Sequence, residues 1–227
     1  MKMPVKITVL VVVLGACRRT RPTTTRCDGP VCVVEKRARG RVYLEAVNNT
    51  LADVTVRFDA TLWHARAAPA VPVTRVLGPR AKLLLTVLTP EASTSWRYES
   101  RYRYVFGSAW ARHTPERPYA LPWTAGERVE VMQGWHGRLS HTGTDDYAID
   151  FALPEGSVVR AARGGVVVVV KDDSDRGCPE PACADLANYI MVRHRDGSVA
   201  EYGHLRRGGA RVHAGDTVAR GAEIAWS

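Results

Sequence analysis

The sequence predicts an all-β protein made of two consecutive domains, and three observations carry that expectation. Val54, Val56 and Phe58 alternate with Thr55, Arg57 and Asp59, the period-two pattern of a strand with one buried face. Trp96, Tyr98, Tyr102, Tyr104 and Phe106 share one face opposite Arg97, Glu99, Arg101 and Arg103. The short apolar runs are separated by Asn-Asn, Pro-rich and Gly-Pro turn signals. With 227 residues, 45% of them hydrophobic, the chain is long enough for one large or two ordinary domains with real cores.

Residues 1–16 read as an export signal. Lys2 and Lys6 supply a basic start, and residues 7–16 form an apolar run too short to span a bilayer as a stable helix. Leu14-Gly15-Ala16-Cys17 resembles a bacterial lipobox, in which small residues precede the cysteine that becomes the lipidated first residue of the mature chain. The expectation is an exported protein, anchored through lipid on Cys17 in the bacterial cell envelope, on the periplasmic side; the alternative is an ordinary secretory signal with a coincidental cysteine, and either way the protein leaves the cytoplasm. Residues 17–26 have no apolar periodicity and read as a tether.

The other four cysteines form two local pairs of equal spacing, Cys27/Cys32 and Cys178/Cys183. Gly and Pro inside each pair favour a turn that brings the sulfurs together, and an oxidising compartment favours two small disulfide loops over a four-cysteine zinc site. The formal charge is +9; Lys2 and Lys6 contribute two of it, so the exported part carries +7. That sign draws the protein to an anionic envelope over a range limited by screening to about 10 Å. An arginine-rich composition without a partner explains the charge equally well. The sequence carries no nucleic-acid motif.

Residues 27–106 are expected to form a small β-sandwich of immunoglobulin-like type, with strands around 42–46, 54–62, 83–88 and 96–106. Asn48-Asn49-Thr50 matches a glycosylation sequon but reads as a hairpin turn. The aromatic stripe is read as core, the alternative being a surface that stacks on sugar rings. Residues 107–128, rich in Pro and aromatics, read as a strap that packs rather than floats, and residues 129–227 as the second domain.

The chemistry-bearing residues lie in that second domain. Ser140-His141-Thr142-Gly143 leads to Asp150, then to Phe151-Ala152-Leu153-Pro154-Glu155-Gly156 and Ala161-Ala162-Arg163-Gly164-Gly165. Asn188-Tyr189-Ile190-Met191-Val192-Arg193-His194, Asp196-Gly197 and Glu201-Tyr202-Gly203-His204-Leu205 follow, then Gly215-Asp216-Thr217-Val218 and Gly221-Ala222-Glu223-Ile224. This succession, from about residue 134 to 227, resembles the lysostaphin-like (LytM-type) zinc endopeptidases of bacterial cell walls.

The resemblance implies an antiparallel β domain of the duplicated hybrid motif. It implies one zinc ion, held by His141 and Asp150, and His204 as the catalytic histidine of the Tyr-x-His-Leu motif. A zinc of this kind takes three protein donors and keeps a fourth position for a water whose pKa falls towards about 7. His204 would polarise the scissile carbonyl or support the oxyanion. The cleaved bond would lie in the peptide part of peptidoglycan. Eight residues separate His141 from Asp150, which makes Asp145 a rival ligand at the compact spacing. Asp150 is preferred because it directly precedes the Phe-Ala-x-Pro-x-Gly segment. His194 is expected to be structural, Asp196-Gly197 a hairpin turn, residues 165–170 a core strand, and His136 and His213 surface residues; His64 and His113 fall outside this domain.

The family's closing His-x-His has no counterpart in the 227 residues. The expectation is a domain incomplete at its C-terminus, with two of three ligands, weak zinc binding and little or no hydrolase activity. A second class of function shares the same resemblance: a non-catalytic lipoprotein that activates a cell-wall amidase.

Overall fold

The computed structural model describes residues 23–91, 95–114, 119–138, 140–141, 143–176 and 186–227. Cys17, Cys178, Cys183 and the export signal lie outside the described residues. The chain divides into two compact units at residues 111 and 112. All regular elements among the described residues are β-strands, apart from one short 3-10 turn.

The first unit carries β1 (Thr24–Asp28), β2 (Val31–Ala38), β3 (Arg41–Asn48), β4 (Val54–Trp63), β5 (Ala65–Ala68), β6 (Val73–Leu77), β7 (Lys82–Pro90) and β8 (Arg97–Phe106). They form a five-stranded sheet in the order β1-β2-β3-β7-β5 and a three-stranded sheet in the order β6-β4-β8. One core joins the two sheets: Val31, Val33, Val42, Leu44, Leu85 and Leu88 from the first meet Val54, Val56, Phe58, Val73, Leu77 and Tyr98 from the second. The period-two alternation is therefore the cause of the layering, since each strand turns alternate residues to the shared interior. The aromatic stripe of β8 belongs to that interior, with Trp96, Tyr102, Tyr104 and Phe106 packed against the core.

Two expectations change here. Strand β1 begins within the stretch read as tether, with Thr24 to Arg26 in register against Glu35, Val34 and Val33. Cys27 and Cys32 face each other across β1 and β2 and are disulfide-bonded, so this bridge clips a hairpin. Asn48-Asn49-Thr50 is not a hairpin turn, because β3 and β4 lie in different sheets. The buried Asn48 side chain donates to the Ala52 and Gly78 carbonyls and accepts from the Thr50 amide. That network turns the chain from one sheet to the other.

The second unit contains β9 (Val131–Gln133), β10 (Asp150–Phe151), β11 (Val158–Arg160), β12 (Gly165–Lys171), β13 (Tyr189–Arg193), β14 (Val199–Gly203), β15 (Thr217–Val218) and β16 (Glu223–Trp226). A four-stranded antiparallel sheet runs β14-β13-β12-β15, and two-stranded pairs join β9 with β10 and β11 with β16. The core is built of Val159, Ala161, Val167, Ile190, Val192, Leu205, Val218, Ile224 and Ala225. Gly165 is obligatory in β12, where an added Cβ would lie 2.3 Å from the Arg193 carbonyl oxygen.

The strap is divided: residues 107–111 fall in the first unit, and the described residues 112–114 and 119–128 belong to the second. The Ala120 amide donates to the Ala162 carbonyl and the Arg160 amide to Pro122, so the strap lies strand-like along β11. Trp123 is buried and meets Phe151 edge-on with ring centroids 4.9 Å apart. At its start the Thr114 amide and the Arg163 guanidinium both donate to Asp196, the latter at 2.6 Å. Burial alone would raise the Asp196 carboxyl, but donors from Ser198, Thr114 and Arg163 hold it well below the usual carboxylate range. Asp196 thus stabilises the β13–β14 hairpin and fastens the strap.

Candidate active site

His141 and Asp150 are brought together by the pairing of β9 with β10, in which Asp150 stands opposite Gln133. Beyond Gln133 the chain turns at Gly134, with the Gly137 amide donating back to the Gly134 carbonyl at 3.2 Å. The His141 amide then donates to the Gly137 carbonyl at 3.1 Å. A Cβ on residue 137 would lie 2.1 Å from Cγ of Gln133, so any residue but glycine displaces the Gln133 side chain. Gln133 in turn donates to Ser140 Oγ at 2.9 Å and to Asp150 Oδ2 at 3.3 Å. One short loop therefore sets both the histidine and the carboxylate.

The histidine is oriented from behind. His141 is 3% exposed, and its Nδ1 lies 2.7 Å from the Gly134 carbonyl oxygen. A carbonyl only accepts, so Nδ1 carries the proton and a neutral ring presents a lone pair at Nε2. That Nε2 stands 3.1 Å from Asp150 Oδ2. Two acceptors aimed at one another need a cation between them, either a proton or a metal ion. Burial pushes the His141 imidazole down, but the Gly134 carbonyl and the Asp150 carboxylate outweigh it and the net direction is up. A backbone carbonyl behind Nδ1 and an open Nε2 is also how metal-binding histidines are held, and a nitrogen with a carboxylate oxygen is a donor set suited to zinc. On chemistry and orientation the pair fits zinc; in number it does not complete a site, because no group of three possible ligands occurs among the described residues.

Asp145 ends the 3-10 turn Gly143–Asp145 and accepts from the Ala148 amide at its backbone carbonyl. Its charge acts on His141, but the carboxylate that touches the ring is that of Asp150. The turn leads the described residues 143–149 back to Asp150. His204 directly follows β14, exposed and in the left-handed region at φ 57°. Among the described residues it has no hydrogen bond or ion pair with either His141 or Asp150. His194 is buried with Nδ1 2.9 Å from the Gly164 carbonyl, and His136 and His213 are exposed. Gln133, Gly134 and Gly137 went unnoticed at the level of sequence. A backbone carbonyl and a missing Cβ carry no residue-type signal of chemistry.

Residues 144–227 match the model of peptidase family M23. Asp150 and His204 lie inside the matched segment and His141 just before it. The chain matches none of the curated proteins and none of the solved structures with which it was compared.

Proposed function

We propose that this protein, whose residues 144–227 match the model of peptidase family M23, is an envelope-anchored zinc endopeptidase that acts on the peptide part of peptidoglycan. The observation that carries the reading is the His141–Asp150 pair: two acceptors 3.1 Å apart, with the far side of the imidazole fixed by a backbone carbonyl. His141 Nε2 and Asp150 Oδ2 would hold the metal, which when bound supplies an acidified water and polarises a carbonyl. The protein's own part is positional. Gly134 fixes the histidine tautomer, Gln133 orients the carboxylate, and His204, exposed just after β14, would steady charge on the scissile carbonyl oxygen. Lipid on Cys17 would keep the domain at a membrane facing the wall.

The test is zinc titration of the full chain by calorimetry, joined to peptide release from purified sacculi. With the two donors His141 and Asp150 and no third among the described residues, uptake by these 227 residues should be weak and release slow. His141→Ala and Asp150→Asn should each weaken uptake by tenfold or more, and a chelator should stop release. A second reading rests on the lack of a three-donor group among the described residues: a non-catalytic domain that binds and activates a cell-wall amidase. Amidase activation by the zinc-free chain, with no uptake and no release, would establish that reading in place of the first.

A further inference from the structure

Beside the His141–Asp150 pair, two large rings stand in solvent. Trp135 is 63% exposed and Tyr147 is 69% exposed, yet they are in contact, with ring centroids 5.8 Å apart and planes at 77°. The His136 ring meets Tyr147 from another side at 5.1 Å. The two loops that carry them are tied by the His136 amide, which donates to the Asp146 carbonyl at 2.7 Å, and the Ala148 amide closes the second loop on Asp145. The rings are thus held in place without being buried. Exposed aromatic clusters on rigid supports mark binding surfaces, because their area is displayed at little cost in conformational entropy.

We infer that Trp135 and Tyr147 form a saccharide platform, which takes an N-acetylhexosamine ring of the glycan strand next to the peptide being cut. The choice of peptidoglycan as the source of that sugar rests on the function proposed above. Three observations select a sugar. Ring faces offer apolar area, while the Trp135 indole N–H and the Tyr147 hydroxyl have no hydrogen-bond partner among the described residues, so a wholly apolar partner would bury them unsatisfied. A sugar ring matches both features, with a C–H face and a rim of hydroxyls. The ionic residues close by in sequence, Arg138, Asp145 and Asp146, are of mixed sign, which suits a neutral ligand better than a polyanion. Finally, the platform is continuous with the candidate site. Trp135 sits between Gly134, whose carbonyl holds His141, and His136; Tyr147 lies on the loop that leads to Asp150. A glycan held here would present its attached peptide to that pair.

The test is binding of soluble glycan strands stripped of their peptides to the full chain, by calorimetry and by the indole N–H signals of the tryptophans. The expected result is binding that shifts one indole signal, the signal missing from Trp135→Phe. Affinity should fall tenfold or more in Trp135→Ala and in Tyr147→Ala, with partial retention in Trp135→Phe and unchanged unfolding midpoints. Stripped glycan that fails to bind, or binds equally well to Trp135→Ala, overturns the inference. So does binding only to phosphatidylglycerol–phosphatidylethanolamine vesicles, which would make the rings a membrane contact. Binding is read without metal and without cleavage, so failure of the peptidase reading and failure of the platform give different results.

Discussion

The β8 stripe of the first unit and two loops of the second treat the same residue type in opposite ways. In the first, the aromatic stripe of β8 is turned inward and its polar atoms are committed. Tyr98 is 3% exposed with its hydroxyl donating to the buried Glu35, and the Tyr102 hydroxyl donates to the Val31 carbonyl at 3.0 Å. In the second, Trp135 and Tyr147 come from irregular loops, touch each other and face water. A ring on an alternating strand is assigned to core by the pleat, whereas a ring on a loop is placed by whatever fixes the loop. The first arrangement serves stability and the second leaves area free for a ligand. Each prediction below alters one side of that contrast.

The largest effect belongs to the shared core of the first unit. Phe58 is fully buried between the two sheets, and Phe58→Ala should cost about 3–5 kcal/mol through lost transfer energy and a cavity. In urea unfolding the transition of the first unit should move by that amount while that of the second stays in place. A joint shift of both would show that the units do not unfold independently. Next comes Gly137→Ala, in which the new methyl overlaps Gln133; overpacking of this kind costs about 1–3 kcal/mol, here in the second unit. Because Gln133 holds Asp150, the variant should also lose the His141–Asp150 contact, readable as a change in the imidazole nitrogen shifts of His141.

A polar counterpart sharpens the comparison. Burial, then the bond to Glu35, pushes the Tyr98 phenol above its ordinary range, so it remains a neutral donor. Tyr98→Phe removes that donor from Glu35, which keeps its contact with Arg37, and should cost about 1–3 kcal/mol. Tyr147→Phe, which removes the same group from an exposed ring, should change stability by no more than about 0.5 kcal/mol. Equal losses from the two variants would mean that the Tyr147 hydroxyl has a structural role.

Much of this was legible in the residues. Alternation placed β4 and β8 within a residue or so of their ends, and assigned the stripe of β8 to the interior. The corner at Asn48 was misread because Asn-Asn supports a hairpin and a sheet-to-sheet turn alike. Only the sheet that the next strand joins decides between them. Strand β1 was missed because Thr-Thr-Thr-Arg has no alternation of its own and is ordered by its partner β2. In the second unit, the order of motifs singles out His141 and Asp150, whose side chains stand 3.1 Å apart. The groups that orient them, a carbonyl at Gly134 and the absent Cβ of Gly137, act through the backbone and leave no mark in composition. The same limit hid Trp135 and Tyr147, whose spacing in sequence bears no relation to their contact in space.

The last predicted effect separates the units by pH. His194 is buried directly after β13, its Nδ1 donating to the Gly164 carbonyl and its Nε2 without a hydrogen-bond partner among the described residues. Burial is the main force that lowers its pKa; the Gly164 carbonyl and Asp196 act against it, while Arg163 and His113 add to it. The folded state therefore keeps the ring neutral, whereas the unfolded chain takes up a proton as pH falls through about 6.5. The stability that neutral His194 contributes is complete above that pH and is lost as pH falls on towards the lower folded pKa, with a slope of at most about 1.4 kcal/mol per pH unit for one group. His194→Asn keeps a donor for Gly164 and cannot titrate. Urea unfolding of the second unit between pH 5 and 8 should be less pH-dependent in the variant than in the parent, with the first-unit transition identical in both. Identical slopes in the second unit would show that a proton enters His194 without cost, and hence that Nε2 reaches water in solution.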